Sequence, residues 1–297
     1  MNPVRLRSPD GELEAVFVPE AGLVGTSLTH RGEELLAQRK GLEAYASSGS
    51  TFGIPLLHPW ANRLGGFSYA VGGQQAGLPR DSPLVRLEEH ELPIHGLAPY
   101  ALRWEVTAEE PGHLAARAEP GPERLELFPF PHRLEATLEL TDDALRVQTT
   151  LVATGAAPVP VAFGFHPYLT LPGVPRAEWE VVLPVEQRLV VDENAIPTGE
   201  LEPAGFTRGA LEDRSLDDGY VLPERPGAFT VSGGGRTLGI EMIEGYTHVQ
   251  VFAPAGQDLV CFEPMTAPAD ALRSHEGLRL APAGEPFTAA FRITVDG

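Results

Sequence analysis

Between residues 132 and 152 the chain alternates apolar and polar positions with a period of two. Leu134, Ala136, Leu138 and Leu140 fall on one side of a first run, and Leu145, Val147 and Leu151 on one side of the next. Side chains of a strand point alternately to its two faces, so the pattern predicts a β-hairpin with one buried face. Thr141-Asp142-Asp143-Ala144 between the runs is a turn by composition. The same alternation returns at Leu238, Ile240 and Met242, at Val249 and Val251, and in Phe287, Ala289, Phe291, Ile293 and Val295. Helical periodicity is scarce; residues 33–40 and 269–275 are expected to form short helices. Gly65-Gly66, Gly72-Gly73 and Gly233-Gly234-Gly235 are expected as hairpin turns, and the Pro-rich stretch 119–131 as a surface connection. No composition shift or repeat divides the chain. The expectation is one large antiparallel all-β sandwich domain over residues 1–297, with few short helices.

Composition narrows the function. The 297 residues are 42% hydrophobic, enough for a substantial core. Forty-one acidic against 22 basic residues give a net charge of −19. That balance argues against nucleic acid, whose phosphates need a basic face, and against anionic lipid surfaces. It leaves small molecules open. A single cysteine, Cys261, permits no internal disulfide and no cysteine-cluster zinc site. The first residues, Met1-Asn2-Pro3-Val4-Arg5, have no apolar leader segment, and no run reaches the ~18 apolar residues of a membrane span. A cytoplasmic protein, monomer or homodimer, is expected.

Five segments carry polar groups that strand packing does not ask for. In Pro59-Trp60-Ala61-Asn62-Arg63 an apolar run ends on an arginine, whose fixed donors match sugar hydroxyls or a carboxylate as well as they cap a surface strand. In Ile94-His95-Gly96 a loop imidazole is either a ligand or a structural histidine. His90-Glu91…His95 is one residue too long for a zinc-protease H-E-x-x-H, and Pro93 would break the helix that motif needs, so no metal is expected. Gly164-Phe165-His166-Pro167-Tyr168 sets an imidazole among aromatics, where it is either a core histidine or, with a small pKa shift, a usable proton donor. Asp217-Asp218-Gly219 reads first as a turn. Finally, Val260-Cys261-Phe262-Glu263 ends an apolar strand on a carboxylate, an expensive structural choice that suits a base.

In this order and at these distances, P-W-A-N-R, H-G, G-F-H-P-Y, D-x-x-Y and E-P-M-T-A-P resemble the aldose 1-epimerase (mutarotase) family, over roughly residues 53–271. The resemblance implies a galactose-mutarotase-like β-supersandwich that uses neither metal nor organic cofactor. It implies Glu263 as general base and His166 as general acid. Arg63 and His95 would hold and polarise the sugar, Asp217 would bind a hydroxyl, and Asn62 would flank the site; Asp218 competes with Asp217 if the alignment slips by one. His58 takes no family role and is expected to pack behind the site or at the surface.

The chemistry fits these groups. Exchanging α and β anomers of an aldohexose opens the hemiacetal, removing a proton from the C1 hydroxyl and giving one to the ring oxygen. A base and an acid must therefore act on two oxygens, each worth typically ~10²–10⁴-fold. The pH profile would be bell-shaped, its acid limb from Glu263 and its alkaline limb from His166. Trp60, Tyr168 and Tyr220 are candidate aromatic platforms. Free aldohexoses such as glucose and galactose rank first as substrates. A hexose-6-phosphate 1-epimerase would share the pair and add a local arginine cluster, and a non-catalytic sugar-binding protein of this fold would tolerate losing it. A glycosidase would need two carboxylates flanking a bond, and no second one stands in a comparable motif.

Overall fold

The computed structural model describes residues 1–297, of which 48% are strand and 8% helix. Two large antiparallel sheets dominate. Nine strands make the first, at whose centre the hairpin His132–Leu140 and Ala144–Ala153 lies beside the C-terminal strand Phe287–Asp296 and Arg236–Glu244. The second, eight-stranded sheet runs from Pro197–Pro203 through Gln187–Val191, Leu216–Val221, His248–Ala253 and Val260–Met265 to Gly164–Phe165 and Leu56–Leu57, with Tyr168–Leu169 also on Val260–Met265. A four-stranded N-terminal sheet and three two-stranded pairs complete the set. One apolar cluster of 68 buried residues runs from Val4 to Val295. The all-β sandwich architecture expected from the alternation is therefore present, and no helix is long and apolar enough to cross a membrane.

The hairpin follows its sequence pattern. Every second residue of His132–Leu140 is buried, and the strands pair in register from His132↔Ala153 to Leu140↔Leu145. Gly72-Gly73 and Gly233-Gly234-Gly235 turn hairpins as expected. Residues 269–275 contain the short helix Ala271–Ser274.

Four local expectations fail for physical reasons. Residues 33–40 are not helical: Glu33–Glu34 pairs with the preceding strand, and the helix lies later, at Gly41–Ser48. The Glu34 carboxylate accepts the Leu28 and Leu36 N–H groups and the Ser27 hydroxyl, so it holds the chain extended. Residues 119–131 are no surface connection, because Arg124, Leu127, Phe128 and Phe130 are buried. Gly65-Gly66 bends against the Arg273 guanidinium, and a Cβ on Gly65 would sit 2.6 Å from Nη1. Asp217-Asp218-Gly219 is strand, paired with Phe252, Val251 and Gln250.

Candidate active site

One face of the eight-stranded sheet builds the site. Antiparallel partners share a face, and residues two apart share it too. The register Asp217↔Phe252↔Cys261↔Tyr168 and Gly219↔Gln250↔Glu263 therefore brings Asp217, Gln250, Phe252, Glu263 and Tyr168 to one side. Val260 and Phe262, alternating with Glu263, pack into the main core. Gly219 has no side chain, and a Cβ there would meet the Gln250 Oε1 at 3.0 Å. These groups line a cavity of about 330 Å³ together with Arg39, Thr51, Asn62, Arg63, Arg86, Glu88, His95 and His166.

Glu263 and His166 meet in it. The Glu263 Oε1 lies 3.2 Å from the His166 Nε2, and both residues are buried. His166 occupies the link between Gly164–Phe165 and Tyr168–Leu169, where its backbone N–H donates to the Pro55 carbonyl. Its ring stacks on Tyr168 with centroids 4.2 Å apart and is met edge-on by His95 and Phe252. The Tyr168 hydroxyl, 3.1 Å from Nε2, is itself held by the Thr51 hydroxyl and by Arg39.

Burial opposes charge on both members. It pushes Glu263 well above the usual carboxylate range, Asp217 adding to the effect and Arg63 opposing it. It pushes His166 well below the usual imidazole range, helped by His95, Arg39 and Arg86. The pair therefore favours a single shared proton with no net charge.

The second wall is preorganised. Asn62, at φ 55°, accepts the Arg63 backbone N–H and a guanidinium N–H on its side-chain oxygen, and its own carbonyl accepts the His95 N–H. The Arg63 Nε donates to Glu88 at 3.1 Å, and its Nη2 lies 3.8 Å from the Asp217 Oδ2. Gln250 donates to the other Asp217 oxygen. His95, also at positive φ, belongs to the strand Pro93–Leu97 rather than a loop. Burial holds it neutral, pushed down to about 3, with Arg86 and Arg63 reinforcing the shift.

The structure thus gathers Glu263, His166, Arg63, His95, Asp217 and Asn62 in one cavity. Asp218 points to the opposite face, where it pairs with Arg188. Of the expected aromatic platforms only Tyr168 lines the cavity, since Trp60 and Tyr220 are core residues. His58 is buried away from it, its Nε2 3.0 Å from the Nε2 of His132. Residues 88–92 form a turn, not a zinc-protease helix. Glu88, Glu89 and His90 do place ligand atoms within 4.8 Å of one another, but Glu88 already accepts the His90 and Leu92 N–H groups and Arg63. The sequence reading missed Arg39, Thr51, Arg86, Glu88, Gln250 and Phe252. Period-2 counting from Glu263 and Asp217 across paired strands would have found Gln250 and Phe252; the others arrive from separate loops and carry no local signal.

A family model described as aldose 1-epimerase matches residues 10–294. The uncharacterized protein YihR of Escherichia coli is 26% identical over 261 residues, covering 81% of this chain and 80% of that one. Among solved structures, Slr1438 of Synechocystis superposes with a TM-score of 0.82 at 22% identity, covering 99% of this chain and 96% of that one. A galactose 1-epimerase of Lactobacillus acidophilus gives 0.76 at 16%, covering 97% and 92%. These similarities in structure carry the fold, and the family match spans almost the whole sequence: the chain belongs to the aldose 1-epimerase family.

Proposed function

We propose that this protein is a cofactor-independent mutarotase that interconverts the α and β anomers of an aldohexose, with Glu263 and His166 moving the protons. The supporting observation is the 3.2 Å separation of a carboxylate and an imidazole at one cavity wall. The hydroxyl oxygen and the ring oxygen of a pyranose are bonded to the same carbon. An acid and a base that serve them must be held side by side, as these two are.

In the first step the proton shared by the pair passes to His166 Nε2, and the Glu263 carboxylate takes the proton of the C1 hydroxyl while the His166 imidazolium gives its Nε2 proton to the ring oxygen. The C1–ring-oxygen bond breaks and C1 becomes an aldehyde. The step leaves a neutral carboxylic acid beside a neutral imidazole, the distribution that burial favours. Ring opening thus runs toward the protonation state the site prefers. Rotation about C1–C2 presents the other face of the aldehyde, Glu263 returns its proton to the carbonyl oxygen, and His166 takes one from the C5 hydroxyl as the ring recloses. The anchored part of the sugar is held by Arg63, His95, Asp217 and Gln250, with Asn62 and Glu88 fixing the guanidinium.

A non-catalytic sugar-binding protein would keep the anchors without needing the acid–base pair. Polarimetric decay of freshly dissolved α-glucose and α-galactose, with and without protein, tests the proposal, with glucose 6-phosphate run alongside. Acceleration that disappears in Glu263→Gln is the expected result. Spontaneous rates for every sugar would overturn it.

A further inference from the structure

Two guanidinium groups in the cavity have no carboxylate partner. Arg63 is matched by Glu88 and Asp217, but neither Arg39 nor Arg86 has an acidic oxygen within 4.0 Å. Arg39, exposed at the mouth, donates through Nη1 to the Tyr168 hydroxyl at 2.8 Å and to the Thr51 carbonyl at 3.4 Å. Its guanidinium carbon lies 4.9 Å over the Tyr168 ring. Arg86, half-buried, donates through Nη1 to the Gly49 carbonyl at 2.7 Å. Other donors of both forks make no protein hydrogen bond. Burial and the charge of Arg39 both oppose the charge on Arg86, so the two cations are near enough to repel. In a chain of net charge −19 an acidic neighbour is easy to supply, and here none is.

Their position relative to the acid–base pair gives them a meaning. Apart from each other, Glu263 feels the charges of Asp217 and Arg63, whereas His166 feels the guanidiniums of Arg39 and Arg86. Arg39 reaches His166 through one hydroxyl, that of Tyr168. The guanidiniums that lack a carboxylate therefore lie on the His166 side of the pair, while Arg63, on the Glu263 side, is already matched by Glu88 and Asp217. Given the mutarotase reading, on which the subsite rests, these two sides orient a pyranose. With Glu263 at the C1 hydroxyl and His166 at the ring oxygen, the next ring atom beyond His166 is C5, and the group C5 carries is C6.

We infer that Arg39 and Arg86 form an anion subsite for a charged group on C6, so that the preferred substrate is an anionic hexopyranose and not a neutral one. A phosphate ester or a carboxylate at C6 would bridge the two forks and relieve their repulsion. This takes up the phosphorylated alternative that the sequence ranks second, and gives its arginine cluster an address.

Anomer exchange followed by NMR on glucose, glucose 6-phosphate and glucuronate separates the cases. The wild type is expected to show kcat/KM at least about tenfold higher for one of the two anionic sugars than for glucose, and whichever leads identifies the group. Arg86→Gln and Arg39→Gln, tested separately, are each expected to lower that ratio by about tenfold, mostly through KM, and added salt to lower it further. Equal or better turnover of glucose by the wild type, or a ratio unmoved in both variants, overturns the subsite. Calorimetric binding of the same sugars is measured independently of turnover. Binding of an anionic sugar that weakens in both variants, without anomer exchange, would overturn the mutarotase reading and keep the anion site. Exchange of glucose with no preference for charge would do the reverse.

Discussion

At the scale of single residues, the pair Glu263 and His166 carries the sharpest expectations. Glu263→Gln keeps the shape but removes the proton acceptor, and His166→Asn removes the donor, so each should lower kcat by ~10²–10⁴-fold while sugar still binds. The double variant should be little worse than either, because groups acting as one unit are not additive. Single-turnover rates and binding constants for the three variants check this; more than about a tenth of wild-type turnover in Glu263→Gln would remove it from the reaction. Burial also changes how the pH profile is to be read. The active pair holds one proton. Removing it acts on a carboxyl raised above its ordinary 4.5, and adding a second acts on an imidazole lowered below its ordinary 6.5. The alkaline limb therefore reports mainly Glu263 and the acid limb mainly His166, the reverse of the assignment drawn from unperturbed values. The profile of kcat/KM should remain bell-shaped, with apparent values that belong to the pair. A single-limbed profile between pH 3 and 10, a range spanning ordinary carboxylate to tyrosine values, would contradict it.

At the scale of elements, the proposed base and acid are set by a strand, Val260–Met265, and by the link after a second strand, Gly164–Phe165, pressed together at a glycine. Gly164 pairs with Met265, and a Cβ on it would lie 2.6 Å from the Pro264 carbonyl oxygen and 2.9 Å from the Ala61 Cβ. His166 follows Gly164 by two residues, and Glu263 precedes Met265 by two. In Gly164→Ala the strands must part to admit the methyl, at a cost of about 1–3 kcal/mol. Displacement of this kind between acid and base should lower kcat by about ten- to a hundredfold, more than it lowers substrate affinity. Thermal melts together with mutarotation kinetics test both parts, and unchanged kcat in a destabilised variant would show that the spacing is not set there. The opposite wall is fixed differently, by side chains more than by strand pairing. Asn62, Glu88 and Asp217 surround Arg63 from three separate segments. For that reason Glu88 was invisible in the sequence, where it stands in an unremarkable acidic turn.

At the scale of the whole molecule, the fold buries several histidines in neutral form. Burial pushes His95 down to about 3, and His132 and His248 down to about 4. Below their ordinary value of 6.5 the unfolded chain takes up protons that the folded chain refuses. Stability therefore falls as pH drops from about 6.5 toward 3–4, by up to about 1.4 kcal/mol per pH unit for each histidine. Glu263 acts with the opposite sign: its folded carboxyl keeps a proton that the unfolded one loses above 4.5, so it costs stability as pH rises. Three histidines outweigh one glutamate. Urea denaturation midpoints should be clearly lower at pH 5 than at pH 7.5, and equal midpoints would mean that these imidazoles titrate normally in the native state.

What the sequence determined by itself was whatever is written locally. Alternation in residues 132–152 and in the C-terminal strand marks the central sheet, because a strand's two faces meet different surroundings. Glu263 and His166 were legible because each breaks an apolar run, and breaking it is costly without a use. Short segments were less secure: residues 33–40 became extended chain with a two-residue strand, Glu33–Glu34, because the Glu34 carboxylate bonds to a neighbouring strand, and Asp217-Asp218-Gly219 was drawn from turn into sheet by its pairing with Phe252, Val251 and Gln250. Only the tertiary structure chose Asp217 over Asp218, since strand register decides which of two adjacent side chains faces the cavity. It alone brought in Arg39, Arg86 and Glu88, residues far apart in the chain whose shared electrostatics exist only once the fold has placed them around one space.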